Sequence, residues 1–182
     1  MKTYMLLLRG INVSGQKKIK MTGLKQSLEK LGLQNVQTYI QSGNVVFDSA
    51  ITSESSLEKS IEKLIFESYK FEVPVLVFEA KEFETIVKGS PYLDSETVEV
   101  NHSYFVLLKT LPADFLVALL NSETFLNEEF VISAKCIYLN CKIGYGKAKC
   151  TNNFFERKLK VQATTRNLKT MSKLVALSSV VN

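Results

Sequence analysis

The sequence predicts an α+β protein in which the element order β-α-β-β-α-β occurs twice and a helix ends the chain. Three observations predict this class. A continuous apolar run at residues 4–8 is typical of a strand that is covered on both faces. Segments with helical periodicity then alternate with short β-branched and aromatic segments. A turn rich in glycine and proline at residues 89–92 separates two such series.

The first series opens with the strand at residues 4–8, which ends in the polar sequence Arg-Gly-x-Asn. Thr22 is expected to cap the next helix and Gly32 to end it. Residues 36–39 and 45–47 are predicted strands, and the sequence Gln-Ser-Gly-Asn between them is a hairpin signal. The helix between Thr22 and Gly32 is predicted to turn Leu24, Leu28 and Leu31 inward.

A longer helix and a fourth strand complete the first series. Ser55 and Glu58 match the capping-box pattern S-x-x-E and are expected at the head of this helix. Pro74 precedes a short apolar strand at residues 75–78. The resulting order is that of the split βαβ, or ferredoxin-like, unit. The apolar stripe of the helix is Leu57, Ile61, Leu64, Ile65 and Tyr69.

The second series follows a helix at residues 81–88 and repeats the topology without residue identity between the halves. We therefore predict two tandem ferredoxin-like subdomains with antiparallel sheets, residues 1–90 and 91–182, the second carrying a C-terminal helix. The predicted elements of the second are strand 104–108, helix 112–120, strands 130–133 and 136–140, helix 152–159, strand 161–164 and a last helix capped by Asn167.

Charge is distributed unevenly along the chain. Residues 1–30 carry a net charge of +6, residues 31–134 a net of −10, and residues 135–182 a net of +9. One interpretation is an anionic partner at the basic ends, and the other is a solvated surface on which basic ends meet the acidic middle. The two interpretations have equal weight on sequence grounds.

Composition excludes several classes of protein. The apolar run at residues 4–8 is shorter than the about 7–15 residues of a secretory signal core and the about 20 of a membrane span. Three cysteines without a C-x-x-C pair suit a reducing compartment, so we expect a cytoplasmic protein with no membrane partner. A single histidine, His102, argues against a zinc site, and neither G-x-G-x-x-G nor a phosphate loop is present, so no metal or cofactor is expected.

Arg9 is the first candidate for ligand binding, because a guanidinium matches phosphate or carboxylate through two parallel hydrogen bonds. Beside Gly10 and Asn12, at the end of a core strand, it could hold an oxyanion. A structural ion pair is an equally weighted alternative for Arg9. Lys20, within the basic triplet Lys17, Lys18 and Lys20, and the pair Arg166 and Asn167 before a helix strengthen the anion hypothesis.

Other polar candidates have structural alternatives. Asn44 lies either at a polar pocket edge or, as we favour, in a tight turn with Gly43. Asn167 is favoured as a plain N-cap over a ligand contact. Tyr145, between two glycines and followed by two lysines, could stack a base, although a solvated loop is slightly favoured. No residue is assigned a catalytic role, since no paired carboxylates or nucleophile motif is present.

Four motifs in order, LLLRGINV, KIKM, YIQSGNVVF and TTRNLKT, resemble the bacterial family catalogued as domain of unknown function 1697. The resemblance covers nearly the whole chain and implies a compact α+β fold with ferredoxin-like subdomains, a cytoplasmic bacterial source and no established activity. Two positions depart from the family pattern: Leu168 replaces a common Trp, and Ser14 replaces the first residue of a frequent Gly-Gly. The matching positions are Arg9, Gly10, Asn12, Lys20, Gly43, Asn44, Arg166, Asn167 and Thr170.

Three functions remain open on sequence grounds. The leading hypothesis is a protein that binds an anionic, phosphate-bearing ligand such as a nucleotide or nucleic acid. RNA recognition through a sheet is less favoured, because YIQSGNVVF lacks the aromatic spacing of the RNA-recognition motif. The second is a phosphoryl or acyl-phosphate hydrolase using Arg9 with Asn12 or Asn44, by analogy of fold alone. The third is a protein-interaction module without a small ligand.

Overall fold

The computed structural model describes residues 1–93 and 100–179 of the 182-residue chain. Within these residues it contains six α-helices and two four-stranded antiparallel sheets, so the predicted α+β class is confirmed. The strands are β1 Lys2–Leu8, β2 Gln34–Tyr39, β3 Asn44–Ser49, β4 Val75–Glu79, β5 Ser103–Leu108, β6 Glu128–Ser133, β7 Cys136–Cys141 and β8 Ala163–Asn167. The helices are α1 Met21–Lys30, α2 Glu54–Tyr69, α3 Ala80–Lys88, α4 Asp114–Asn121, α5 Asn152–Leu159 and α6 Leu168–Ser179.

The chain divides into two compact units, each of which holds one sheet. Unit 1 comprises Met1–Thr85 and Lys173–Asn182, and unit 2 comprises Ile86–Ser172. Each contains the element order β-α-β-β-α-β, as predicted. Whether residues 1–90 and 91–182 fold as independent domains stays a prediction. None of the helices in residues 1–93 and 100–179 combines the length and the hydropathy that crossing a bilayer requires.

Unit 1 is built around β1. Its sheet has the strand order β2-β3-β1-β4 with antiparallel neighbours, so β1 is central. The apolar residues Tyr4 to Leu8 have no exposed surface, which confirms the prediction of a strand covered on both faces. Alternate residues of β1 pack against inward leucines and isoleucines of α1 and α2 in one apolar cluster. This packing fixes where β1 ends and where the polar loop after it begins.

The caps of α1 and α2 differ from the predicted ones. Lys20, not Thr22, occupies the N-cap of α1, and its side chain makes no capping hydrogen bond. At α2 the cap is Ser53, whose hydroxyl accepts from the Ser56 amide at 3.2 Å. The predicted capping box of Ser55 and Glu58 is wrong, because α2 begins at Glu54 with Ser53 as its N-cap. The Glu58 carboxylate accepts a hydrogen bond from the Val77 amide of β4.

Glutamates of α2 satisfy the outer edge of β4. Residues four apart on a helix advance about 6 Å, and residues two apart on a strand advance about 6.8 Å. The two spacings nearly match, so every fourth residue of α2 faces every second amide of β4. Edge strands expose unpaired amides that invite aggregation, and these carboxylates occupy them. The pairs are Val75 N–H with Glu62 at 3.1 Å, Val77 N–H with Glu58 at 3.0 Å and Glu79 N–H with Glu54 at 3.0 Å.

Unit 2 repeats this arrangement with different residues. Its strand order is β6-β7-β5-β8, again antiparallel, and β8 is an edge strand. The Glu156 carboxylate on α5 accepts from the Ala163 amide at 2.8 Å. Asn152, one helical turn earlier, donates to the Ala163 carbonyl at 3.0 Å and accepts from the Thr165 hydroxyl at 3.1 Å. In both units, therefore, the helix before the last strand satisfies the edge of that strand.

Two predicted boundaries in unit 2 are shifted. The fourth helix starts at Asp114, beyond Pro112, with Ala113 as its cap residue. The last strand runs from Ala163 to Asn167, where the sequence predicts residues 161–164. The predicted cap of the final helix is confirmed, since the Asn167 side-chain oxygen accepts from the Thr170 amide at 2.9 Å.

The turn between β2 and β3 depends on a glycine. Gly43 has φ +76°, and its carbonyl accepts the Leu8 amide at 2.8 Å. A Cβ atom there would lie 2.6 Å from the Leu8 Cβ and 2.9 Å from the Ile11 Cδ1. The buried Asn44 side chain donates to the Tyr39 carbonyl at 3.1 Å and to the Ser42 hydroxyl at 2.9 Å. The favoured prediction of a tight hairpin turn is confirmed.

We predict that Glu58→Ala lowers the free energy of unfolding by about 1–3 kcal/mol, because the Val77 amide loses its acceptor in a buried edge. Glu67→Ala on the same helix is the matched control. Its exposed carboxylate lies 3.8 Å from the exposed Lys63 ammonium, so the change in the free energy of unfolding should stay within about 0.5 kcal/mol. Urea unfolding of both variants measures the difference, and equal stabilities would contradict a role for the Glu58 hydrogen bond.

We also predict that Gly43→Ala destabilises unit 1 by about 2–4 kcal/mol, since it adds left-handed strain to a steric overlap. Gly15→Ala separates the two effects. Gly15 has a similar φ of +75° but open space where the Cβ would stand, so only about 1–2 kcal/mol is expected. Thermal unfolding of the pair is the measurement, and an equal loss in both variants would rule out the overlap as a cause.

Candidate functional site

The loop after β1 is an ordered structure that ends at the start of α1. Gly10 leaves the strand with φ +69°, and a miniature hairpin follows in which Val13 and Gln16 form an antiparallel bridge. Ser14 and Gly15 make its tip, both with positive φ. Positive φ at two successive central positions is the requirement of a tight type I′ turn. The hairpin therefore brings residue 19 back towards residue 12.

Asn12 holds the two ends of this loop together. Its side-chain oxygen accepts the Ile19 amide at 2.9 Å, and its Nδ2 donates to the Ile19 carbonyl at 3.0 Å. The same Nδ2 donates to the Gln41 carbonyl at 2.7 Å. The Asn12 amide thus satisfies three backbone groups and ties the loop to the β2–β3 turn. A short amide side chain that tolerates φ +55° suits this position.

A groove of about 450 Å³ opens beside this clamp, entirely within unit 1. It lies at the N-terminal end of α1, between the base of the loop and the β2–β3 turn. Its volume falls within the about 300–1,000 Å³ that small-molecule sites occupy. The lining residues are Asn12, Lys18, Ile19, Lys20, Met21, Thr22 and Gln41.

The electrostatics of the groove favour an anion. The first amides of a helix have no partner within the helix, and the helix dipole places partial positive charge there. At α1 no side chain caps these amides, and no acidic residue lies in the first turn. Lys18 and Lys20 add two exposed ammonium groups. Lys17 points elsewhere, since its Nζ donates to the Glu72 carbonyl at 2.7 Å.

The structure places the predicted site residues of unit 1 in two different settings. Asn12 and Lys20 line the groove, as a shared ligand site requires. Arg9 does not line it; it is half-buried, and its amide donates to the Pro74 carbonyl at 3.0 Å, at the β1–β4 end. Asn44 is fully buried inside the β2–β3 turn. Direct ligand contact by Arg9 or Asn44 stays a prediction.

Arg166 and Asn167 belong to unit 2. The Arg166 guanidinium is buried and donates to the Thr164 hydroxyl at 2.7 Å and the Thr165 carbonyl at 2.9 Å. Burial lowers the pKa of Arg166 to about 10, so the side chain remains charged at neutral pH. Asn167 uses its side-chain oxygen as the cap of α6. Both residues therefore have structural hydrogen bonds, and their contact with a ligand stays a prediction.

Tyr145 has structural partners rather than an open ring face. Its hydroxyl donates to the Thr165 hydroxyl at 3.3 Å and accepts the Asn152 amide at 3.0 Å. Its ring centroid lies 4.9 Å from that of Tyr104. These contacts hold the loop before α5 in place. They favour an anchor over a base-stacking platform.

Sequence reasoning missed five lining residues of the groove, the apolar Ile19 and Met21 and the polar Lys18, Thr22 and Gln41. Lys18 was visible in the basic triplet, but the sequence does not reveal that Lys17 turns away. Thr22 was assigned to a cap, but the observed cap is Lys20, two residues earlier, so Thr22 lies in the first turn of α1. Gln41 enters through the backbone contact with Asn12, a pairing across 29 residues that no local pattern encodes.

A solved structure resembles this chain over nearly its whole length. The structure of conserved bacterial protein SP0830 from Streptococcus pneumoniae is 28% identical, with a TM-score of 0.76. The similarity covers 97% of this chain and 98% of the other. Among curated proteins, none matches this chain. The family model described as Protein of unknown function (DUF1697) matches residues 1–138, well over half of the sequence, and the chain therefore belongs to that family.

Proposed function

We propose that this protein binds a small phosphate-bearing anion in the groove at the N-terminus of α1. The observation that carries the proposal is the convergence of Lys18 and Lys20 on an uncapped helix start, in a groove of about 450 Å³. Phosphate oxygens accept hydrogen bonds from helix N-terminal amides and are stabilised by the helix dipole. Lysine ammonium groups add point charges, and the Thr22 hydroxyl and Gln41 amide add directional donors.

The size of the groove favours a small ligand over a long nucleic acid. A nucleotide or a sugar phosphate fits a volume of this order, whereas a nucleic-acid backbone needs an extended track of cations. The groove uses only the basic segment at residues 1–30. The second basic segment lies mostly in unit 2 and is not needed by this proposal.

The hydrogen bonds of Asn12 and the burial of Asn44 favour binding over hydrolysis. A hydrolase that uses Asn12 or Asn44 to orient water needs a side-chain amide with capacity for that water. The Asn12 amide bonds three backbone groups, and the Asn44 amide is buried within its turn. Arg9 does not line the groove. The hydrolase alternative therefore has less support than simple anion binding.

We also propose that the chain forms two ferredoxin-like subdomains and that the protein is cytoplasmic. The strand orders β2-β3-β1-β4 and β6-β7-β5-β8, with antiparallel pairing throughout, support two ferredoxin-like subdomains with a boundary near residue 90. All three cysteines are buried free thiols, and burial raises the pKa of Cys141 and of Cys150 to about 12. Unreactive thiols of this kind suit a cytoplasmic protein.

We predict that inorganic phosphate, nucleotides or sugar phosphates raise the Tm of the wild type and that the double variant Lys18→Gln/Lys20→Gln loses the effect. A ligand at 100 times its Kd stabilises the native state by about 2.7 kcal/mol. The charge-matched control is Lys25→Gln/Lys30→Gln, whose lysines lie on the same helix outside the groove. This control variant should show the same ligand-induced rise in Tm as the wild type.

Salt dependence separates the ligand classes in the same assay. Binding of short RNA or DNA through several phosphates should weaken by orders of magnitude between 50 and 200 mM salt, about 10³-fold or more. A single phosphate group in the groove should show a much smaller dependence. If no anion raises the Tm, or if both double variants respond alike, the groove is not the site.

We predict that Asn12→Gly lowers the free energy of unfolding by about 1–3 kcal/mol, because buried backbone groups at Ile19 lose their partner. Glycine tolerates the positive φ, so the change removes the side-chain hydrogen bonds without adding left-handed strain. Gln16→Ala, in the same loop but exposed, should stay within about 0.5 kcal/mol. Urea unfolding without ligand is the measurement. Unchanged stability of Asn12→Gly, with lost phosphate binding, would assign Asn12 to the ligand and not to the clamp.

A further inference from the structure

A second cavity lies in unit 2, at the junction between α4 and β6. Its volume is about 260 Å³, enough for a group of a few heavy atoms. Two phenylalanine rings form its apolar wall, with their centroids 6.1 Å apart. Behind them, Phe125 packs edge-on against Phe154 and Phe130 against Phe155. The lining residues are Asn121, Glu123, Thr124, Phe125, Glu128, Glu129 and Phe130.

Three carboxylates line this cavity, and they are not equivalent. Glu123 is ion-paired with Lys158, and Glu129 with Lys142. Glu128 is only 5% exposed, and its hydrogen bond is to a backbone group, the Lys149 amide, 2.8 Å from Oε1. Within residues 1–93 and 100–179 no lysine or arginine pairs with Glu128. A buried carboxylate is stable only when its charge is compensated, and one backbone amide compensates it incompletely.

The surroundings of Glu128 indicate from which side a positive charge could reach its carboxylate. Glu128 begins β6, on the face of the sheet that carries Phe130. Burial, with the negative charge of Glu128 as a second cause, raises the pKa of Cys141 and Cys150 to about 12, so these thiols stay neutral. The open side is the cavity, whose aromatic wall attracts cations through the ring faces.

We infer that this cavity, lined by Glu128 and the rings of Phe125 and Phe130, binds an organic ammonium group. A carboxylate with aromatic neighbours is the combination that recognises amines and quaternary ammonium ions. A divalent metal is a poorer match. In the described part of the chain no three His, Cys, Asp or Glu side chains group closely enough to ligate one ion. The inference concerns unit 2 and does not depend on the anion groove of unit 1.

The test is an NMR titration of the full-length protein with n-butylammonium at low ionic strength. We expect saturable amide shifts in residues 121–130 and at Lys149. n-Butanol, the neutral isostere, should produce no saturable shift at the same residues. Glu128→Gln keeps the shape and removes the charge, and it should raise the Kd for n-butylammonium at least tenfold. Glu67→Gln, an exposed α2 carboxylate, should leave the Kd unchanged.

Several results would overturn the inference. These are non-saturating shifts with n-butylammonium, equal saturation with n-butanol, full competition by millimolar Mg²⁺, and an unchanged Kd in Glu128→Gln. The amide spectrum of each variant also reports whether it folds. If Glu128→Gln is unfolded, Glu123→Gln replaces it; a Kd raised at least threefold then supports the site, and an unchanged Kd overturns it.

Discussion

The candidate anion site depends on the hydrogen bonds that the Asn12 side chain makes with the backbone. Three hydrogen bonds join the two ends of the loop after β1 to each other and to the β2–β3 turn. Without them the loop would gain conformational freedom that a few exposed lysines cannot offset. With them, Lys18 and Lys20 are held beside the start of α1. Gly43 also stabilises the packing of the β2–β3 turn against this loop, because without a Cβ the turn can approach Leu8 and Ile11.

The acidic middle of the chain acquires a structural explanation. Two interpretations were open for the uneven charge: an anionic partner at the basic ends, or a solvated surface on which the basic ends meet the acidic middle. Part of the charge has a third role, because Glu54, Glu58 and Glu62 hydrogen-bond the edge of β4. Carboxylates at such a spacing occupy strand amides and keep other chains from pairing there. Charge counted along a sequence is therefore a weak guide to binding surfaces.

The sequence predicted the fold better than the site, and the reason is physical. Hydrophobic periodicity is local and repeats many times, so β1, α2 and the hairpin at Gly43 were predicted close to their observed positions. Caps depend on single residues with several competing partners. The N-cap of α2 is Ser53 and not the predicted Ser55. Glu58 accepts a hydrogen bond from a strand amide 19 residues away in sequence.

The site depends on contacts of the same long-range kind. Asn12 was chosen from a motif as a ligand contact, and its three bonds are visible only after folding. The same holds for Glu128, which sequence analysis did not select at all. Its alternation with Phe130 was visible, but its burial and its amide partner at Lys149, 21 residues away, were not.

The two units place different charged side chains on the same topology. In each, a helix follows the central strand: α1 in unit 1 and α4 in unit 2. Neither helix start has a side-chain cap, but α4 carries Asp114 in its first turn, which complements the dipole from within. In α1 that position holds no acid, and lysines flank it instead. The end of α4 leads into Glu123 and Glu128, two carboxylates that line the neighbouring cavity. A few side chains at helix ends thus change the local charge while the sheet order stays the same.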